Sequence, residues 1–493
     1  MKEKINRMFE AMPSISKRFF WITLALAIKS IFFIYKTGIE ERPSPNIYFT
    51  HTFANEWGDT YSYIEPIESY IANGNYGGPV YSDYRMPGYV FPYYFIRFAF
   101  DVDTSLNILV LLQLLFGAIS VYLLAKIAMN LLKNEKVFYI VFFLYAINTF
   151  VSLFDSAVMS ESFCSSALII SVYFLLRQEN RNRNLFISGL FLTWCIFLKP
   201  VMILLLVFYS LYIFIDKTEN KVKLNWTAVL CFTGIFVVVE SAWMIRNERV
   251  HNKFIPLTTS KYYPGTDESY LGPLFEFMNA YGGSVVWWDP SADVTFFKPV
   301  TFKVDKKPEI KLPENIYTSE FNYDSLLAVR NLIGIVNDTT IDKAIRRQNE
   351  LIAMDRLKRY AESIKTNHPF MYYIGSRFKV LKNYFVHSGT SILFTKSSAN
   401  LNLFMLGLKV FYSALYMLIV AGGFISSFYL LLKREENNNY RIISITGLYI
   451  ALVFPFLFKM DEYRYFVPGY PFFMLAIVLA VITFKNKPLK VRS

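Results

Sequence analysis

Apolar residues in this chain gather into long runs separated by short polar loops. A bilayer core of roughly 30 Å takes about 20 apolar residues as helix. The first run, 19–35, is interrupted only by Lys29. Nine more follow at 106–128, 137–154, 156–176, 185–198, 201–215, 226–244, 403–432, 442–458 and 466–484, so ten spans are expected. Lys199-Pro200 divides one overlong run and predicts the tip of a helical hairpin, because proline breaks a helix. The run 89–100 is shorter, rich in Tyr and Phe, and carries Arg97, which predicts an interfacial helix.

Charge then orients the spans, since Lys and Arg in short loops mark the cytoplasmic side. With the N-terminus inside, the inner loops hold Lys126, Lys133 and Lys136; Arg177, Arg181 and Arg183; Lys217, Lys221 and Lys223; and Lys433, Arg434 and Arg441. Residues 38–103 carry three basic against nine acidic residues and fall outside. Counting 89–100 as a span would invert every later loop. The expectation is an α-helical integral membrane protein of about ten transmembrane helices with both termini inside. It divides into an N-terminal module (1–245) with a catalytic first outer loop (38–103), an extracytoplasmic domain (246–402) and a C-terminal module (403–493).

The outer segment 246–402 is too polar to span. Pro264-Gly265 and Gly282-Gly283 signal turns, and Trp287-Trp288 reads as packing or an interfacial anchor before a sugar platform. Residues 341–365 predict an amphipathic helix stopped by His368-Pro369, and 372–384 a second helix at the membrane surface.

Composition supports a membrane protein: 493 residues are 54% hydrophobic, 18% aromatic and only 18% charged. The formal charge of +13 lies in short loops, so the partners expected are membrane lipids and not nucleic acid. Cys164, Cys195 and Cys231 lack the spacing of a disulfide framework or zinc site and read as packing residues. His51, His251, His368 and His387 likewise lack ligand spacing. Residues 1–18 are basic without a small-residue cleavage pattern, which predicts a retained signal anchor. Residue usage and the lack of sorting signals fit a bacterial inner membrane.

The residues that break the apolar pattern collect on the outer side. They are Asp59 and Arg85; Asp155 and Glu161; Lys199; Arg246 and Asn247; and Asp461, Glu462, Arg464 and Tyr465. Charges at this depth are costly unless paired or functional. Transfer from an anionic lipid headgroup would use both signs: basic side chains hold the phosphate and a carboxylate deprotonates an incoming hydroxyl. Plainer readings exist for each: Asp59 as a solvated residue or cap of a helix over 61–71, Glu161 as a cap with Ser160, Lys199 and Arg464 as interfacial anchors.

The ordered set Gly58-Asp59-Thr-Tyr-Ser-Tyr63, Met86-Pro-Gly-Tyr89, Ser160-Glu161, Leu198-Lys-Pro200, Trp243-Met-Ile-Arg246-Asn247, Asn367-His-Pro369 and Glu462-Tyr-Arg464-Tyr-Phe-Val-Pro468 resembles the multispanning C-type (GT-C) glycosyltransferases. It is most similar to their dolichyl-phosphate-mannose protein mannosyltransferase and aminoarabinose lipid A transferase branch. The resemblance implies transfer of a sugar from a polyprenyl-phosphate donor to a lipid, glycan or protein acceptor at the extracytoplasmic face, with inversion. It places Asp59 at the family's catalytic acid and Glu161 at its second acidic position. Lys199, Arg246 and Arg464 become donor contacts, and Tyr63 and Arg85 line the pocket. Lys stands where the family has Arg before Pro200, and Met86-Pro87-Gly88 where the lipid A branch has Lys-Pro. Two carboxylates without further clustered acids imply no cofactor and no dedicated metal site. The alternative is a transporter or flippase of a lipid-linked saccharide, which would carry broken helices near mid-membrane; these runs are mostly uninterrupted.

Overall fold

A computed structural model describes residues 14–39, 51–77, 85–218, 221–258, 269–283, 297, 314–394, 400–433, 438–460 and 462–485. The readings of Pro264-Gly265, Trp287-Trp288 and Asp461 lie outside these residues. The chain divides into two compact units. The first comprises Met1–Thr259, Ser388–Ile450 and Phe466–Ser493, and the second Ser260–His387 with Ala451–Tyr465.

The chain begins with helix α1 (Ser14–Ile39), followed by α2 (Thr60–Asn73), which closes on Gly74 at φ 77°. That left-handed position suits glycine, which has no Cβ to clash. A short α3 (Val90–Arg97) forms within the run 89–100; Arg97 and Tyr93 both bond Glu68, pinning it to α2. Next come α4 (Val102–Leu132), with Asp101 accepting from the Thr104 backbone N–H at its start, and α5 (Glu135–Ala146), capped by Asn134. The predicted span 137–154 is interrupted after Ala146, where Asn148 caps a separate turn at Thr149–Ser152. Then follow α6 (Ser160–Leu175) and α7 (Arg181–Leu198), an extended Lys199, a 3-10 turn at Pro200–Met202 and α8 (Ile203–Phe214). The break predicted at Lys199-Pro200 therefore lies there. A two-stranded antiparallel hairpin, β1 (Ile215–Thr218) and β2 (Lys221–Leu224), leads into α9 (Trp226–His251).

The second unit holds α10 (Leu271–Tyr281), α11 (Tyr323–Asn337), α12 (Lys343–Asn367) and, after a π-helical turn at Met371–Gly375, α13 (Ser376–Val386). Helices α12 and α13 cover most of the two stretches, 341–365 and 372–384, where helices are expected. Phe277, Leu326, Val329, Leu357 and Ile364 form the middle of its apolar core. The chain continues through α14 (Leu403–Leu432), α15 (Asn438–Leu452), which passes into a π-helical stretch at Val453–Phe458, and α16 (Tyr470–Lys485).

Each of the ten predicted apolar runs overlaps one of these helices. Among the described residues five are long and apolar enough to cross a membrane: Ile15–Thr37, Val102–Leu132, Trp226–His251, Leu403–Leu432 and Asn438–Phe458. The fold is that of an α-helical membrane protein. At the centre of the first unit, α6 is buried almost all round, between α4 and α7. Packing here uses small residues, as expected where lipid gives helices no hydrophobic reason to associate. A Cβ on Gly189 would sit 1.9 Å from the Phe232 carbonyl oxygen, so α7 and α9 touch backbone to backbone. Ser171 and Ser188 hydrogen-bond across α6 and α7 at 3.1 Å.

Candidate active site

The segment 155–158, between the Thr149–Ser152 turn and α6, organises the site. Asn55 runs parallel to Ala157: its N–H donates to the Ser156 carbonyl at 2.8 Å and its own carbonyl accepts from Val158 N–H at 3.0 Å. The Asn55 amide adds a bond to Ser156 Oγ, and Thr60 Oγ1 donates to the Val158 carbonyl. The first loop is thereby stitched to the entrance of α6. Asp59 and Glu161 come from opposite sides of that seam.

Asp59 stands at the N-cap of α2 but makes no capping hydrogen bond. Its carboxylate instead pairs with Arg85 at 3.2 Å, in an ion pair whose side chains are 15% and 16% exposed. The neighbouring Gly58 is exposed, so the chain reaches the surface one residue before the carboxylate. Arg85 also lies 4.5 Å over the Tyr63 ring and donates to the Tyr63 hydroxyl. That hydroxyl donates in turn to Ser160 Oγ at 3.0 Å, at the first residue of α6. One residue on, Glu161 is fully buried and receives Lys199 Nζ at 2.9 Å. A path of contacts thus runs Asp59, Arg85, Tyr63, Ser160, Glu161, Lys199.

Arg246 joins this path through Tyr76. Its guanidinium lies against the rings of Tyr76 and Trp243, at 5.2 and 5.0 Å, and donates to the Tyr76 carbonyl; the Tyr76 hydroxyl donates to the Arg85 carbonyl. Burial pushes the Tyr76 hydroxyl up, against the pull of Arg246 and Arg85, so it stays a neutral donor. Of the seven residues singled out in the sequence, six are linked. The seventh, Arg464, belongs to the second unit, where its Nε lies 3.5 Å from Glu462 and its guanidinium 5.2 Å over Tyr465.

The Met86-Pro-Gly-Tyr89 element docks this loop on α7. A Cβ at Gly88 would lie 2.3 Å from the Phe197 carbonyl carbon, so only glycine lets the loop backbone approach; Trp194 Nε1 donates to the Gly88 carbonyl. Two residues past Phe197 stands Lys199. Tyr89, its hydroxyl pushed up chiefly by burial, packs at 4.7 Å against Tyr63 and donates to Gln113 Oε1.

Sequence reasoning missed Gln113. Its amide nitrogen on α4 reaches the carbonyls of Phe154, Asp155 and Ala157, fastening the central segment from behind. A lone Gln inside a 31-residue apolar helix was the available signal. It also left Lys29 and Asp155 as separate oddities. They pair at 2.8 Å with 0% and 1% exposure, Lys29 donating also to Ser152 and Asp155 accepting from Ser162. The cysteines read as scattered packing residues include a facing pair, Cys164 and Cys195, with sulfurs 3.3 Å apart between α6 and α7. Among the described residues no three His, Cys, Asp or Glu side chains are placed to hold a metal ion.

Residues 88–244 match the model of a C-type glycosyltransferase family, the dolichyl-phosphate-mannose-protein mannosyltransferases. The matched segment is just under a third of the chain and holds Glu161, Lys199, Gln113 and Asp155; Asp59 precedes it and Arg246 follows it. No curated protein and no solved structure matches. The match supports a polyprenyl-phosphate-sugar glycosyltransferase in general terms, and with the apolar helices it indicates an integral membrane protein.

Proposed function

We propose that the protein moves a sugar from a polyprenyl-phosphate donor to an acceptor hydroxyl at the extracytoplasmic face, inverting the anomeric carbon, with Asp59 as general base. The observation that supports this reading is the placement of Asp59: of the two carboxylates on the path it is the one with solvent exposure, 15%, while Glu161 is sealed against Lys199. A base must meet the proton it removes within hydrogen-bond reach. Asp59 takes the acceptor's proton as its oxygen attacks the anomeric carbon. The bond from that carbon to the phosphate oxygen breaks, and the phosphate leaves with its lipid.

Cations stabilise the charge that grows on the departing phosphate. Arg85 and Arg246 are the donor contacts in this reading; each is held in place by aromatic rings, which fixes the guanidinium before substrate arrives. Lys199, paired with Glu161, holds the second acidic position and adds positive charge beneath the donor. The resemblance also assigns Arg464 a donor contact, and its role stands on that resemblance alone. Ten spans with both termini inside would place Asp59, Glu161, Lys199 and Arg246 at one leaflet. The site as read requires neither a metal nor another cofactor.

The test is transfer by reconstituted protein supplied with a lipid-linked sugar. Asp59→Asn is expected to lower turnover about 10²–10⁴-fold, the usual worth of a positioned general base, with an unchanged melting temperature. Full turnover in that variant would remove Asp59 from the chemistry.

A further inference from the structure

A cavity of about 490 Å³ opens at the far end of the first unit from Asp59. Helices α4 and α6 meet the candidate site at Gln113 and Ser160; the cavity lies where they finish, at Tyr122 to Lys133 and around Tyr173 to Glu179, beside Arg18 of α1. At 1.5 Å per residue, Gln113 and Lys126 are roughly 20 Å apart along α4. Four cations line it, Arg18, Lys126, Lys133 and Arg177, against one carboxylate, Glu179. Glu179 is 80% exposed and bonded to Arg177 at 2.8 Å, which leaves the lining with an excess of positive charge.

Two of the cations are held by aromatic rings. Arg177 lies 5.6 Å from the Tyr173 ring and donates to its hydroxyl; Lys126 lies 5.9 Å from the Tyr122 ring. Topology alone asks for basic residues at cytoplasmic helix ends, but it does not ask that they line one hollow with aromatic supports. The remaining wall is apolar, with Ile127, Leu131 and Leu176. A fork-shaped guanidinium and ammonium point charges suit phosphate oxygens, and the apolar wall suits the glycerol and first methylenes below them. A free inorganic anion would have no use for that wall.

We propose that this cavity is a binding site for the phosphate headgroup of an anionic glycerophospholipid, in the leaflet opposite the candidate active site. Basic pockets between transmembrane helices recognise such headgroups, and each cation near the surface contributes about five-fold in affinity. The proposal goes beyond glycosyl transfer and holds whether or not Asp59 is a base.

The test is native mass spectrometry of the full-length protein released from detergent with phosphatidylglycerol or phosphatidylcholine, each with and without excess inorganic phosphate. The wild type should retain phosphatidylglycerol in preference, and inorganic phosphate should leave it bound. The preference should fall about five-fold in Lys133→Gln and further in Lys126→Gln/Arg177→Gln, with melting temperatures recorded for both. Equal retention of the two lipids by the wild type would overturn the proposal without any variant. So would an unchanged preference in a folded Lys126→Gln/Arg177→Gln protein, or displacement by inorganic phosphate, which would mark a site for a soluble anion.

Discussion

Two aspartate–cation pairs flank the strand-like segment 155–158, and they differ in one respect that separates chemistry from framework. Asp59–Arg85 is open, its side chains 15% and 16% exposed. Lys29–Asp155 is sealed, at 0% and 1%. An enclosed ion pair has given up the water around both charges and contributes little net stability, but removing one partner is expensive because a bare charge stays behind. A partly solvated pair loses little on breaking, and its carboxylate can reach a substrate. The sealed pair ties α1 to the segment 155–158, and the less enclosed pair keeps some of the access that the proposed base would need.

The largest expected effects follow directly from this contrast. Asp59→Asn should cost catalysis its two to four orders of magnitude and destabilise the fold less than Asp155→Asn does, because the Asp59–Arg85 pair keeps some contact with solvent. Asp155→Asn should do the reverse first: it strands the Lys29 ammonium, and unfolding free energy should fall by about 3–5 kcal/mol, read as a lowered denaturation midpoint in detergent. Combining Asp155→Asn with Lys29→Met removes both charges and should recover much of that loss. If Asp155→Asn left stability unchanged and abolished transfer, the assignment of the two pairs would have to be exchanged.

Gly88→Ala sharpens the comparison, because it disturbs the open pair without touching a charge. The added methyl would press into the Phe197 backbone, and backbone cannot rotate away as a side chain can. Overpacking of this kind costs about 1–3 kcal/mol. Because Arg85 is three residues upstream, the shifted loop should raise KM for the lipid-linked donor, which steady-state kinetics would show. An unaltered KM with lowered stability would mean that Gly88 serves packing alone.

The contrast also shows what a sequence can disclose. Glu161 and Lys199 were legible because each interrupts or bounds an apolar run, where charge is conspicuous, and Asp59 because of the acidic and aromatic loop around it. Their grouping was legible only as a shared side of the membrane. What was not legible is partnership: Lys29 and Asp155 are 126 positions apart, and nothing local to either names the other. Gly88 likewise showed no local sign of its role, since its reason is the backbone of a helix more than a hundred positions on. The helices could be read from runs of apolar residues, whereas the break after Ala146 came from one Asn capping a new turn within an otherwise apolar stretch.

The smallest effect concerns a third kind of charge, in the second unit. Lys459 follows the π-helical stretch at a left-handed φ of 52°, donates to the carbonyls of Asn279 and Tyr372, and lies 4.0 Å over the Tyr372 ring. Carbonyl oxygens and a π face compensate a cation less than a carboxylate does. Burial, followed by the nearby Arg377 charge, lowers its pKa from 10.5 to about 8. The unfolded chain therefore binds a proton that the folded chain has released between about pH 8 and 10.5, and stability should rise with pH across that window. Below about pH 8 both states are protonated, so the penalty is constant there. Half-exposed groups are screened, so the slope is expected to be shallow, and thermal melts of the wild type and Lys459→Met at pH 7.5 and 9.5 should reveal it as a difference between the two. A wild-type melting temperature that fell across that range by as much as the variant's would show that Lys459 keeps its proton, and that carbonyls and a ring can satisfy a buried cation as well as Asp155 satisfies Lys29.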